Sequence, residues 1–319
     1  MPKSFTPAST GVLLALAAYA AYSIADAIVK AVGPSLSVFE IGFFTTLFSV
    51  IPALFSKPPA ERWRDTFKLQ RPTLVAIIAL ARTASALLIT YSFVTIPLAE
   101  AYCLVFMIPI LTAVLSVFFL GEKVSLDRWA LIIVSFLGVL LVVRPGFRDL
   151  QLGHLTGFGC AVSAAISVTA LRMISSEERR VTLFVLPGLA TLAANAIGMA
   201  IFGFAAPGWS LLAALLISGV LGGAGYLLQI AAVAKAPVSR VAPMQYSQVI
   251  WALLFGALFF AEVPDALGLA GLGVVVAAGL ANVLSDGARA RLAGRWAEYR
   301  ARRVNPSADD FKGPGPDPV

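Results

Sequence analysis

Long apolar runs separated by short polar breaks organise this chain from residue 10 to residue 284. Ten such runs are legible, at roughly 10–31, 38–56, 73–94, 99–120, 128–144, 154–175, 182–205, 209–232, 240–260 and 264–284. Each is close to the ~20 residues that carry a helix across a bilayer core. Strands of a closed barrel would instead be about ten residues of alternating polarity, a pattern absent here. The first run follows Lys3 and has small residues at Ala18 and Ala20, as a cleaved leader would. It continues past them to Val29, which is long enough to span.

Composition sharpens this reading. Hydrophobic residues make up 59% of the 319 and charged residues only 13%, against about 25% charged in soluble domains. So few charges cannot cover so much apolar surface in water, which excludes a soluble enzyme, a disordered chain and a nucleic-acid-binding domain. One histidine, His154, and two unclustered cysteines, Cys103 and Cys160, offer no zinc or iron–sulfur set. No cofactor and no metal are expected. The expected fold class is all-α: a polytopic membrane protein of ten transmembrane helices.

The net charge of +7 is explained by topology. With a cytoplasmic N-terminus, most of the 24 Lys and Arg fall in loops on that side, among them Lys57, Arg62, Arg64, Lys68 and Arg71. Only Lys30, Arg144 and Arg148 fall outside, and Arg82 lies within a span. This bias predicts both termini in the cytoplasm and an inner-membrane location. The tail divides into basic Ala288–Arg303, suited to anionic lipid, and Pro/Gly/Asp-rich Asn305–Val319, expected to be disordered.

The chain also repeats itself. Displaced by 140 residues, Ile96–Val124 lies over Ala236–Pro264 without a gap. Pro97 then meets Pro237, Phe106 meets Tyr246, Phe119 meets Phe259, and Glu122 meets Glu262. Five helices per copy is an odd number, so the two copies insert upside down relative to each other. Inverted repeats are a common plan of secondary transporters, with the substrate held near the midplane between the halves.

Those same residues carry a family resemblance. The segments "PLAEAYCLVFMIPILTAVLSVFFLGEKVSLDRWALIIVSFLGVLLVVRPG" and "APVSRVAPMQYSQVIWALLFGALFFAEVP" resemble the two EamA repeats of the drug/metabolite transporter superfamily. The shared pattern is a Pro-led loop, an apolar helix, and an ending at Gly121-Glu122 or Ala261-Glu262. The resemblance covers about residues 10–284. It implies a first repeat over 10–144 and a second over 154–284, flanked by a cytoplasmic N-terminus (1–9) and a cytoplasmic tail (285–319). It also implies a central cavity lined mainly by spans 1, 3, 4, 6, 8 and 9. Thr45 stands where similar proteins often carry Arg in "E-x-x-F-F-R", so no anion-binding role is implied for span 2.

Ionisable and amide groups inside spans are the candidate site, because hydrocarbon does not solvate them. Tyr19, Ser23, Asp26 and Lys30 form one stripe on span 1. Asp26 and Lys30 are coupling or gating candidates; an Asp26–Lys30 pair that only steadies the helix is the competing reading. Arg82 lies deep in span 3, and Glu100, at the start of span 4, is its expected partner. Glu40 is expected to reach a membrane face. Glu122 and Glu262 are expected to cap helices near the cytoplasm. Substrate-binding candidates are Ser23, Arg82, Phe106, Tyr226, Gln229, Gln245, Gln248 and Trp251. The three glutamines and the aromatic residues suit a neutral or zwitterionic aromatic solute. Bonds between helices are the alternative use of those amides. Gly219 and Gly223 form a close-packing G-x-x-x-G, and Pro109 and Pro187 predict kinks.

The expected function is secondary transport of a small organic metabolite by alternating access. The family resemblance reaches riboflavin-type importers, so uptake of a riboflavin-like vitamin is the specific expectation. Export of amino acids or related metabolites is the alternative, and a non-transport scaffold or receptor the alternative class. No Walker A motif and no G-x-S-x-G or H-E-x-x-H set occurs, so neither ATP hydrolysis nor enzymatic chemistry is expected. Expected partners are the small-molecule substrate and the lipid bilayer, with a homodimer left open and no nucleic acid.

Overall fold

The computed structural model describes residues 7–53, 67–121, 126–143, 150–174, 177–236 and 241–281. The basic stretch within 54–66, Glu122 and the tail 285–319 lie outside the described residues. All regular structure among the described residues is helical. In chain order the helices are α1 (Pro7–Val32), α2 (Val38–Ala53), α3 (Pro72–Thr95), α4 (Leu98–Val105), α5 (Ile108–Phe119), α6 (Leu126–Val143), α7 (Leu152–Ile174), α8 (Arg180–Phe202), α9 (Trp209–Lys235), α10 (Ser247–Phe260) and α11 (Ala266–Ala281). Short 3-10 turns precede α2 (Gly33–Ser35) and α10 (Ala242–Tyr246).

Helix is the form that satisfies each backbone group within its own segment, as lipid requires. Among the described residues, seven stretches are long and apolar enough to cross a membrane, and Val38–Pro52, Trp129–Val143 and Ala266–Ala281 are shorter apolar helices. Large apolar side chains point outward in number, including Leu80, Phe118, Ile197 and Ile250. In water such a surface would aggregate; in a bilayer it is the solvent-facing side. The chain is an all-helical polytopic membrane protein.

The fourth span is broken. α4 stops at Val105 and α5 resumes at Ile108, one residue before Pro109, whose ring cannot continue the preceding turn. Its repeat mate is interrupted at the matching place, where the 3-10 turn ends at Tyr246 and α10 begins. Pro187, by contrast, lies inside an α8 that runs through it. The Phe106 and Tyr246 rings are 5.1 Å apart. A residue touches its own repeat mate only at the axis that relates the copies, so this pair marks the pseudo-two-fold axis. Packing across the halves follows the same symmetry: α1 lies along α9, and α3 along α7.

The ends of the two broken spans also match. Gly121 has φ +66° and Ala261 has φ +53°, so both close their helices in the left-handed region. This explains the G-E and A-E endings. Glycine adopts that conformation freely, while alanine is strained there. Ala261→Gly should therefore raise stability, by about 0.5–1 kcal/mol. A thermal midpoint at or below that of the parent would contradict this.

Glycines set the closest approach of α2 to α9. A Cβ on Gly219 would lie 2.6 Å from the Thr45 carbonyl oxygen, and one on Gly223 2.6 Å from that of Ser49. Both obstacles are backbone, so the helices would have to separate. Gly219→Val and Gly223→Val should each sharply reduce folded protein in the membrane, read by fluorescence-detected gel filtration. Normal yield and elution would show that this approach is dispensable.

Candidate functional site

Two cavities with four lining residues in common lie between the halves. The wider one, about 680 Å³, is lined by residues of α2, α3, α7 and α8, among them Arg82, Ser85, Ser167 and Leu171. The narrower one, about 240 Å³, is lined by α1, α2, α3, α8 and α9, among them Asp26, Thr45, Thr90, Asn195 and Ser218. Thr46, Ser49, Ala86 and Thr191 line both. Of the expected lining spans 1, 3, 4, 6, 8 and 9, spans 1, 3, 6 and 8 (α1, α3, α7 and α9) line these two cavities. α2 and α8 contribute heavily, whereas α4 and α10 line neither cavity. Those two pack against each other at the axis instead.

Two charges face this space. Arg82 is exposed to the wide cavity and has no ion pair or hydrogen bond among the described residues. The expected Arg82–Glu100 pair is not formed. Glu100 Oε2 lies 2.8 Å from His154 Nε2, and His154 Nδ1 accepts from the Gln151 N–H at 3.1 Å. That second bond assigns the ring proton to Nε2, which donates to Glu100. Glu100 starts α4 and Arg82 lies some ten residues into α3, so the helices carry them to different depths.

Asp26 faces the narrow cavity. Its Oδ2 accepts from the Tyr102 hydroxyl at 2.5 Å, and Ser23 Oγ is 3.5 Å from the same hydroxyl. The i,i+4 pairing of Asp26 with Lys30 is not formed either. Lys30 turns away to Glu262, at 2.8 Å, and donates to the carbonyls of Ile96 (2.7 Å) and Phe93 (3.3 Å). Three bonds outside its own helix outweigh one weak neighbour on it.

Lys30 and Glu262 pair at one end of the bundle. Lys30 is 9% exposed and its ammonium lies 5.4 Å from the centre of the Phe260 ring. Glu262 Oε2 also accepts from the Leu98 N–H at 3.1 Å. Glu262 therefore shares an end with Lys30, the side expected to be non-cytoplasmic, which corrects its expected place near the cytoplasm. The error lay in treating repeat mates as neighbours, since an inverted repeat sends matching helix ends to opposite faces. Glu40 is corrected as well. It is buried and accepts from the Ser37 and Ala205 N–H groups at 2.8 and 2.6 Å, tying α2 to the segment after α8.

The other expected residues lie closer to the axis or to α1. Phe106 stacks on Tyr102 at 6.2 Å as well as meeting Tyr246. Gln248 is buried and interacts with the Tyr102 hydroxyl. Gln229 bridges two tyrosines of α1, accepting from Tyr22 and donating to Tyr19, each at 3.2 Å. Trp251 stacks on Phe255 at 5.6 Å. Tyr226, Gln229, Gln245, Gln248 and Trp251 line neither described cavity. Asn195, Thr191, Thr90 and Ser218 do line the narrow one and were not singled out from the sequence. A lone amide in the apolar run of α8 was the available signal for Asn195.

Known proteins agree with this architecture. The EamA-like transporter family model matches residues 9–144 and again 151–284. Among curated relatives, the pseudopaline exporter CntI of Pseudomonas aeruginosa is 29% identical over 280 residues, 85% of this chain and 95% of the relative. The S-adenosylmethionine uptake transporter of Rickettsia felis is 25% identical over 280 residues, 87% of this chain and 93% of the relative. A solved crystal structure at 19% identity, covering 88% of this chain and 99% of its own, superposes with a TM-score of 0.61 and shares the fold. Two inverted halves, a cavity between them and a family match to each half lead to one assignment: the chain belongs to the EamA-like transporter family of secondary metabolite transporters.

Proposed function

We propose that this transporter carries a small zwitterionic metabolite, an amino acid or amino-acid conjugate, by alternating access through the two cavities that Asp26 and Arg82 line. One observation carries the reading. A carboxylate and a guanidinium line two cavities that share Thr46, Ser49, Ala86 and Thr191, and neither has an oppositely charged partner among the described residues. A bare charge at membrane depth is unfavourable unless something answers it. A solute bearing one ammonium and one carboxylate answers both at once. The wide cavity, about 680 Å³, suits a ligand of amino-acid size or larger. Both relatives named above handle small organic metabolites, one outward and one inward, so direction does not follow from kinship.

The planar-vitamin expectation rested on the family resemblance and on the amides and aromatic residues of α9 and the α10 region. Gln229 and Gln248 are engaged with tyrosines, so the zwitterion reading takes precedence. Flux decides between them. Proteoliposomes are loaded with each standard amino acid, with S-adenosylmethionine or with riboflavin, and counterflow of the labelled compound is recorded. Counterflow of at least one zwitterion, and none of riboflavin, is expected. Riboflavin exchange without zwitterion exchange would return the assignment to the vitamin.

The location that fits is the inner membrane, with the Lys30–Glu262 end facing out and both termini in the cytoplasm. A reporter active only outside the cytoplasm should be active when inserted within 145–153 and silent when fused after Ala288. The reverse pattern would invert the molecule.

A further inference from the structure

The hydroxyls of the 240 Å³ chamber around Asp26 share one hydrogen-bond pattern. A hydroxyl has one proton to donate, and a donated proton leaves only lone pairs on the oxygen. Among the hydroxyls lining this chamber, Thr45 donates to the Ile41 carbonyl (2.7 Å), Ser49 to Thr46 (2.7 Å), Thr90 to Ala86 (2.9 Å), Thr191 to Pro187 (2.9 Å) and Ser218 to Ala25 (3.0 Å). Each turns its proton back onto a helix carbonyl. Thr46, which also lines the wider cavity, is the exception among the described hydroxyls.

Asn195 completes the pattern. Its Nδ2 donates to the Thr191 carbonyl at 2.8 Å, which fixes the orientation of the amide. Its Oδ1 is then an acceptor in a side chain only 1% exposed, with no hydrogen-bond partner. Gly42 makes room for that oxygen, since a Cβ there would lie 2.5 Å from it. A buried acceptor left unsatisfied is destabilising, and such groups in native proteins call for a donor. Asp26 adds charge: Oδ2 is held by Tyr102, and Oδ1 has no hydrogen bond among the described residues. The chamber therefore presents acceptors and a negative charge.

We propose that this chamber is the receptor for the protonated amine of the transported solute. Asp26 supplies the charge, the Thr90 oxygen a directed acceptor, and Asn195 Oδ1, sealed beside Gly42, a further acceptor reached when the solute is bound. The inference rests on the zwitterion reading and deepens it by fixing which end of the solute enters first. The ammonium lies toward the Lys30–Glu262 end and the carboxylate toward Arg82. A carboxylate placed in the chamber would face lone pairs on nearly every side. An ammonium offers three N–H groups to them. Asn195 is thus a specificity-determining residue for a free, unacylated amine.

The test compares three probes built on each standard side chain: the amino acid, its N-acetyl derivative, which has lost the cation, and its decarboxylated amine, which has lost the anion. Binding to the purified full chain is read by thermal shift and calorimetry, for the parent protein, Asn195→Leu and Thr90→Val. Thr90→Val keeps shape and removes only the oxygen, so it serves if Asn195→Leu misfolds. Amino acid and amine are expected to bind, the N-acetyl form to bind about 5- to 150-fold more weakly, and each substitution to remove much of that preference. Equal binding of amino acid and N-acetyl form, or a preference untouched by both substitutions, overturns the amine chamber while leaving the zwitterion reading intact. Stabilisation by sodium chloride alone, with no response to the amines, makes it a sodium site and overturns the proposal. Binding by none of the three probe series removes both readings.

Discussion

Lys30→Met should destabilise the folded protein by about 3–5 kcal/mol, the usual penalty for leaving one member of a buried ion pair without its partner. Four groups converge on the Lys30 ammonium: the Glu262 carboxylate, the Ile96 and Phe93 carbonyls, and the Phe260 ring. Together they join α1 to the end of α3, the start of α4 and the end of α10. In Lys30→Met, Glu262 keeps its Leu98 N–H bond but is otherwise left charged in a site 21% exposed. The double variant Lys30→Met/Glu262→Gln should recover part of the loss, because no lone charge remains. Thermal unfolding in detergent measures both. A single variant as stable as the parent would show that the contact is idle.

The same substitution should change which end is open. Alternating access requires the halves to part at this end, which breaks the contacts that cross between them: Lys30 with Glu262 and the Phe260 ring, and Glu262 with the Leu98 N–H. With Cys103 and Cys160 replaced by alanine, a cysteine at Val29, which lines the narrow chamber, reports access from the Lys30 side. Lys30→Met should speed its labelling by an impermeant maleimide added on that side. Unchanged labelling would mean that the ion pair is a structural clamp with no share in gating.

The fold was legible because lipid makes hydrophobic run length a direct record of span length. Break positions followed from Pro109, and the axis from the gapless match of Phe106 to Tyr246, which the structure brings to 5.1 Å. Partner choice was less legible. Lys30 lies one helical turn from Asp26, yet it pairs with a residue 232 positions away, because α10 delivers Glu262 to it. Local spacing names every neighbour on a helix and none across the bundle. Charges were easier to read than acceptors. Arg82 and Asp26 stand out in any apolar run, whereas Thr90 and Thr45 look like ordinary back-bonding hydroxyls. Only the cavity shows that they line one chamber with Asn195 and Asp26.

Removing the two cavity charges one at a time should change selectivity in opposite directions. Asp26→Asn keeps a hydrogen-bonding group beside Tyr102 but deletes the anion that faces the narrow chamber. Arg82→Gln keeps a polar head in the wide cavity but deletes the cation. Truncating one partner of a desolvated charge contact costs about 2–5 kcal/mol. Arg82 is exposed within its cavity, so the low end applies, about 30- to 100-fold in affinity. Asp26→Asn should lose the amino acid and the simple amine by that factor, while Arg82→Gln loses the amino acid and keeps the amine. Neither substitution should reduce the amount of protein in the membrane. Flux carries a second consequence. One carboxylate cannot hold a proton and a substrate ammonium together, so Asp26 would exchange one for the other. Asp26→Asn should then abolish accumulation driven by a pH gradient, even at substrate concentrations that restore occupancy. Accumulation that persists at saturating substrate would remove Asp26 from coupling, and equal losses of all probes in both variants would remove the pair from recognition.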